Sequence, residues 1–184
     1  MEIKTSQAIL YLILLIFFCN CSTPKFYDEL NLMQREVQKD INGTTNRVNA
    51  ITINGIDFNK LILIKLTDKL KSTNHIIYYY CSDTSLSSGK IWVTIYDVDK
   101  KKYYSLENQD SNKREIVLTA LEERLLDKNT SFIFDTFISN DCKLLKANEE
   151  VKISGVRSYE AIYEINLKNM EFRSCYFKNF ILFN

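Results

Sequence analysis

The stretch from His75 to Leu106 constrains this chain more than any other. His75–Ser82 is rich in Ile and Tyr, Ser85–Gly89 is polar, Lys90–Val98 alternates, and Asp99-Lys100-Lys101-Lys102 turns the chain back into Tyr103–Leu106. Within Lys90–Val98, Ile91, Val93 and Ile95 share one face while Trp92, Thr94 and Tyr96 share the other, which is the period of a half-buried strand. Tyr78-Tyr79-Tyr80 must likewise place at least one ring on each face of its strand. Further strands are expected at Ile51–Ile53, Ser131–Ile138, Val151–Ser154, Tyr159–Leu167 and Glu171–Phe183, with Asn54-Gly55, Asn140-Asp141 and Lys168-Asn169 in turns. Strands that follow strands through short turns pair antiparallel. The expected fold is therefore α+β: an antiparallel sheet of about six or seven strands with two or three helices packed on it.

Three helices complete that expectation. Lys25–Ile41 opens with Thr23 as cap and Pro24 at the first helical position, repeats Phe26, Leu30, Met33, Val37 and Ile41 at steps of three and four, and stops at Asn42-Gly43. Asp57–Lys71 repeats Phe58, Ile62, Leu66 and Leu70; Leu61–Ile64 alone could be a buried strand, but length and the charged tail favour helix. Lys113–Lys128 has Asn112 and Glu115 at capping-box spacing and an apolar stripe of Val117, Leu118, Leu121 and Leu125, so it is predicted to lie on the sheet.

Composition excludes several functions. With 24 Lys+Arg against 23 Asp+Glu, no strong field points to nucleic acid, and none is expected as a partner. Gly43, Gly55, Gly89 and Gly155 stand far apart, so no phosphate-cradling loop can be assembled. Beyond the first two dozen residues the cysteines are Cys81, Cys142 and Cys175, without CxxC spacing and with His75 as the one histidine; no metal and no cofactor is expected. In an oxidising compartment three thiols permit one disulfide and one leftover, the pair being open at this level, and three buried thiols are an equal alternative.

The amino-terminal segment sets location. Lys4 precedes an uncharged apolar run, Ala8–Phe18, too short even when extended to Cys21 for the roughly 17 to 25 residues that span a bilayer, and Cys19-Asn20-Cys21-Ser22-Thr23-Pro24 follows. A short apolar core behind a basic residue is the pattern of a secretory signal. The segment resembles the export signal of bacterial lipoproteins, in which a diacylglyceryl-modified cysteine becomes the first residue of the mature chain. Cys21, preceded by Asn20, is the better acceptor than Cys19, preceded by Phe18. The resemblance departs from the usual pattern at Phe18 and Asn20, and it covers only about the first 22 residues. It implies a signal peptide at 1–20, a single domain at 21–184, and attachment through an N-terminal lipid such as palmitate to a membrane of the bacterial cell envelope, the outer membrane in a Gram-negative cell. Plain secretion and an uncleaved anchor are the competing readings. The first helix begins almost at once after Cys21, so the domain is expected either to sit close to the membrane or to stand on a stiff short stalk.

No residue names a reaction. His75 opens a strand without a placed nucleophile or orienting acid. Asp97, Asp99, Glu107 and Asp110 lack the glycine and terminal glutamate of a calcium loop. Carboxylate pairs of the glycosidase kind are available by chance among so many acids. The real excess is aromatic: eleven Tyr, eleven Phe and Trp92. If the helices cover only one side of the sheet, Trp92 and Tyr96 form an exposed platform for a protein or glycan partner. The functional expectation is an envelope lipoprotein acting as a non-catalytic binding or accessory protein. The alternatives are a small hydrolase with a carboxylate-based site and an immunity-type protein that neutralises an envelope toxin.

Overall fold

The computed structural model describes residues 25–42, 58–83, 90–110, 115–121, 126–147 and 158–178. Cys21 and the signal segment, the strands expected at Ile51–Ile53 and Val151–Ser154, and the end of Glu171–Phe183 lie outside these residues. Helix α1 (Tyr27–Asn42) is followed by α2 (58–65) and α3 (Thr67–Leu70). Strands β1 (His75–Asp83), β2 (Lys90–Asp97), β3 (Lys102–Asp110) and β4 (Glu115–Leu121) come next, then α4 (Lys128–Ile138), α5 (Cys142–Ala147), β5 (Ser158–Asn166) and β6 (Glu171–Lys178). The strands form one six-stranded sheet in the order β4-β3-β2-β1-β5-β6, with every pairing antiparallel. The α+β architecture follows directly.

Alternation along the strands builds two cores. On the first face Ile76, Tyr78 and Tyr80 of β1, Ile91, Val93 and Ile95 of β2, Leu106 of β3, and Tyr163 and Ile165 of β5 meet Phe26, just before α1, and Leu30, Met33 and Val37 of α1. Phe58, Ile62, Leu63, Leu66 and Leu70 of α2 and α3 join them. The same four-residue steps that predicted these two helical segments are the residues that bury. Thr67 Oγ1 donates to the Leu63 carbonyl at 3.1 Å near the joint between α2 and α3, the kind of side-chain bond that bends a helix. On the second face Ile77, Tyr79, Tyr103, Ile162, Cys175 and Phe177 pack against Ile133, Phe134 and Phe137 of α4 and Leu145 of α5. The three consecutive tyrosines thus divide two to the first face and one to the second.

Two expectations are corrected here. Lys113–Lys128 is not a helix over its described first part: Glu115–Leu121 is the edge strand β4, paired with β3, and Val117 is exposed. Its apolar spacing suits either period, and the open edge of β3 offers a full ladder of backbone partners. Ser131–Ile138 is not a strand but belongs to α4. Thr130, Ile133, Phe134 and Phe137 fall on one helical face. Asp127 caps them, its Oδ1 accepting from Thr130 N at 2.9 Å and its Oδ2 from the Thr130 hydroxyl at 2.6 Å. The helix ends in a Schellman arrangement: Asn140, at φ 62°, donates to the Phe137 carbonyl and Asp141 N–H to that of Thr136. Asn140-Asp141 is therefore a turn, as expected, but one that closes a helix.

Cys142 and Cys175 form a disulfide with Cα atoms 5.8 Å apart, tying α5 to β6 on the second face, while Cys81, half-buried, takes no part in a disulfide.

Candidate functional site

On the second face α4 and α5 pack over β1, β5 and β6 and reach Tyr103 of β3, while Val117 and Thr119 on the β4 margin are exposed. Trp92 lies on the interior strand β2, next to that margin, with Cys81 of β1 and Glu107 of β3 as its register partners. It is half-buried, as is Tyr96, which stacks on Tyr103 with ring centroids 4.4 Å apart. Tyr103 in turn meets Phe134 edge-on at 5.5 Å. The aromatic face expected from alternation exists, but it is not a bare platform: a helix absent from the sequence expectation roofs part of it and draws Tyr96 into the second core. Trp92 keeps a solvent-facing part, and Val117 and Thr119 beyond it on β4 are exposed.

At one end of this face stands an ion network. His75 opens β1, Glu164 lies on β5 and Arg173 on β6, and the strand register sets Glu164 directly beside Arg173. His75 Nε2 is 2.7 Å from Glu164 Oε1, and Arg173 Nε donates to Glu164 Oε2. Arg173 Nη1 donates to Asn140 Oδ1 at 3.1 Å, and its guanidinium lies 4.3 Å from the Phe137 ring centroid. Burial alone would raise the Glu164 carboxyl, but hydrogen bonds from Arg173 and His75, with their charge, hold it below its ordinary value. Both oxygens are engaged, so this group retains its charge and is poorly suited to deliver a proton.

Further along β1 and β5, Tyr79 donates to Glu160 Oε2 at 2.6 Å, both side chains being buried. Burial pushes the Tyr79 phenol well up, and the Glu160 carboxylate pushes it further, so it acts as a donor. Cys81 is the cross-strand partner of Glu160.

Of the acidic residues Asp97, Asp99, Glu107 and Asp110, the side chain of Asp110 lies outside those described, and the other three have separate roles. Asp97, fully buried, accepts from the Thr73 hydroxyl at 2.5 Å and from Lys100 N at 3.0 Å. Asp99 accepts from the backbone N–H groups of Asn74 and His75. Both fasten the β2–β3 turn, whereas Glu107 lies along β3 opposite Trp92. Among the described residues no group of three or more His, Cys, Asp or Glu side chains is arranged to hold a metal ion.

Sequence reasoning placed Trp92 and Tyr96 on a common face but passed over Glu160, Glu164 and Arg173. The partners of Glu160 and the His75 partner of Glu164 come from β1, far away along the chain, the His75–Glu164 contact bridging 89 positions, and the β1–β5 register reveals them. Arg173 lies beside Glu164 across the β5–β6 hairpin. No protein-family model matches the chain, and no match was found among curated proteins or among solved structures.

Proposed function

We propose that this protein is an envelope lipoprotein, tethered through a lipid on Cys21, that acts as a non-catalytic binding or accessory protein. Its contact surface is the Trp92 margin of the second face, for a protein or glycan partner. The observation that carries the reading is the Cys142–Cys175 disulfide behind a short export-type segment, since disulfides persist where the compartment is oxidising. The geometry also weighs against the hydrolase alternative. A carboxylate catalyst must take up or release a proton near neutrality. Glu164 is held ionised by Arg173 and His75, and Asp97 is locked into a turn.

The mass of the mature amino terminus tests the tether. The expected species begins at a diacylglyceryl-modified Cys21, and Cys21→Ser should accumulate as unprocessed precursor; an unmodified chain beginning after Thr23, or an intact Met1, would sink the tether. The surface is tested by fluorescence, because Trp92 is the one tryptophan. Acrylamide should quench it partially, between the limits of a core and a free indole, and a bound partner should shield it. Complete protection in the isolated protein would remove Trp92 from the binding surface.

A further inference from the structure

We infer that the domain rests on an anionic phospholipid bilayer by one end of its sheet, the end formed by Lys25 and the turns that surround Asn74. This rests on the reading of Cys21 as the lipidated residue. Four elements converge there. Lys25 Nζ donates to Asn74 Oδ1 at 3.1 Å; Asn74 N donates to Asp99 of the β2–β3 turn at 2.7 Å; Leu167 N of the β5–β6 turn donates to the Asn74 carbonyl at 2.8 Å; and Lys100 Nζ reaches back to the Lys69 carbonyl at the end of α3.

The tether leaves this end little freedom to be elsewhere. Lys25 stands four positions after Cys21, and a fully extended chain covers at most about 14 Å over that distance. Phe26, next in the chain, is buried in the first core at 1 % exposure, so the fold begins there. An acyl chain on Cys21 therefore holds the Asn74 end against the lipid headgroups.

The charge of that end suits the surface it would meet. Lys25 and the segments 68–71, 97–102 and 166–171 hold seven lysines against four acids, a surplus of three, although the whole chain has a net charge of only +1. Of the acids, Asp97 is fully buried and Asp99 is bonded to backbone N–H groups. Lys71, Lys101, Lys102 and Lys168 are exposed. Lys101 at φ 54° and Met170 at φ 55° stand at the two turns, and Met170 is 65 % exposed, an apolar side chain among cations. That combination lies well at a headgroup boundary, where polybasic clusters meet anionic lipid within a Debye length of roughly 8 to 10 Å.

The test uses the lipidated protein as isolated, reconstituted into vesicles of phosphatidylcholine alone or of phosphatidylcholine with phosphatidylglycerol. Lysines are acetylated on the vesicle and located by mass spectrometry. Lys101, Lys102 and Lys168 should be protected in the anionic vesicles and regain reactivity in high salt, while Lys39 and Lys178 label equally in both. Uniform labelling in both vesicles overturns the inference and leaves lipidation standing. A chain beginning at Ser22 retains every contact described here and separates the two ideas. Its affinity for anionic vesicles should fall roughly fivefold for each of Lys101→Gln, Lys102→Gln and Lys168→Gln. Binding that ignores these substitutions overturns the inference; binding that follows them sustains it even if Cys21 proves unmodified.

Discussion

The two faces of the sheet are packed by different means. The first is wide and closed by hydrocarbon, with Phe26 just before α1, and Leu30, Phe58, Ile62 and Leu66 of α1, α2 and α3, over the strands; its main polar feature is the buried Tyr78 hydroxyl donating to Asn59. The second has a smaller apolar centre around Phe134 and Phe177, flanked by the Glu164 network and the Tyr79–Glu160 bond, and it is stapled by Cys142–Cys175. A narrow roof of short helices removes less apolar surface from water, so covalent and charged contacts carry a larger share of its stability.

Breaking the small core should cost most. Phe134→Ala is expected to destabilise by about 3 to 5 kcal/mol in denaturant titration, somewhat more than Leu66→Ala at about 2 to 5 kcal/mol on the first face. A loss below about 1 kcal/mol at Phe134 would show that α4 adds no core of its own. Removing the staple comes next. The cysteines are 33 positions apart, and the chain-entropy relation gives about 3 to 4 kcal/mol for Cys142→Ser combined with Cys175→Ser. Hydrogen exchange should then accelerate in α5 and β6 well before α1; equal acceleration of both faces would erase the distinction between them.

A smaller effect appears with pH. The folded Glu164 carboxyl titrates below its ordinary 4.5, so its contribution is complete above that value and is lost as the pH falls through the lower folded one. Glu164→Gln should cost about 1 kcal/mol at neutrality, and the gap from the wild type should close in acid. The buried phenols, Tyr79 on the second face as well as those on the first, behave in the opposite sense. Burial raises the phenols of Tyr78 and Tyr163 and pushes Tyr80 up to about 12, so the stability they confer is full below the ordinary value of 10 and is lost as the pH climbs through the folded ones. A wild-type–variant gap that persists into strong acid would contradict this assignment. Least of all should follow from Val117→Thr on the exposed margin, within about 0.5 kcal/mol in a melt; a loss above 1 kcal/mol would mean that β4 is covered.

The first face was largely legible in the sequence and the second was not. Phe26, Leu30, Met33 and Val37 in and just before α1, and Phe58, Ile62, Leu66 and Leu70 of α2 and α3, repeat with a helical period because each helix buries one stripe on a broad sheet. Trp92 and Tyr96 were placed on the correct face for the same reason, from alternation alone. What covers that face was misread. Phe132, Ile133 and Phe134 are residue types that favour strands, yet here they wind into α4, where Asp127 caps and Phe137 completes the stripe; tertiary contact with Tyr103 and Phe177 outweighs their intrinsic preference. The cap at Asp127 was visible in the sequence, but it lay inside the stretch assigned to the preceding helix. Glu115–Leu121 shows the converse, a helical spacing used as an edge strand. Within the Glu164 network the Arg173 contact lies across the local β5–β6 hairpin, whereas the His75 contact arises only through the long-range β1–β5 register.

The position of β1 in the middle of the sheet governs how the chain must assemble. Strands β1 to β4 follow one another through neighbouring pairings and can zip as a meander before the rest of the chain docks, and β5 with β6 forms a second local hairpin. Each piece has low contact order by itself. Their union along β1 must close a loop of about 75 residues, from Asp83 to Ser158, before the first ladder bond rewards it. Until that docking occurs the central strand offers one naked edge to whatever is near, including another copy of itself. Delivery of the final hairpin is therefore the step at which this protein is most exposed to misassembly.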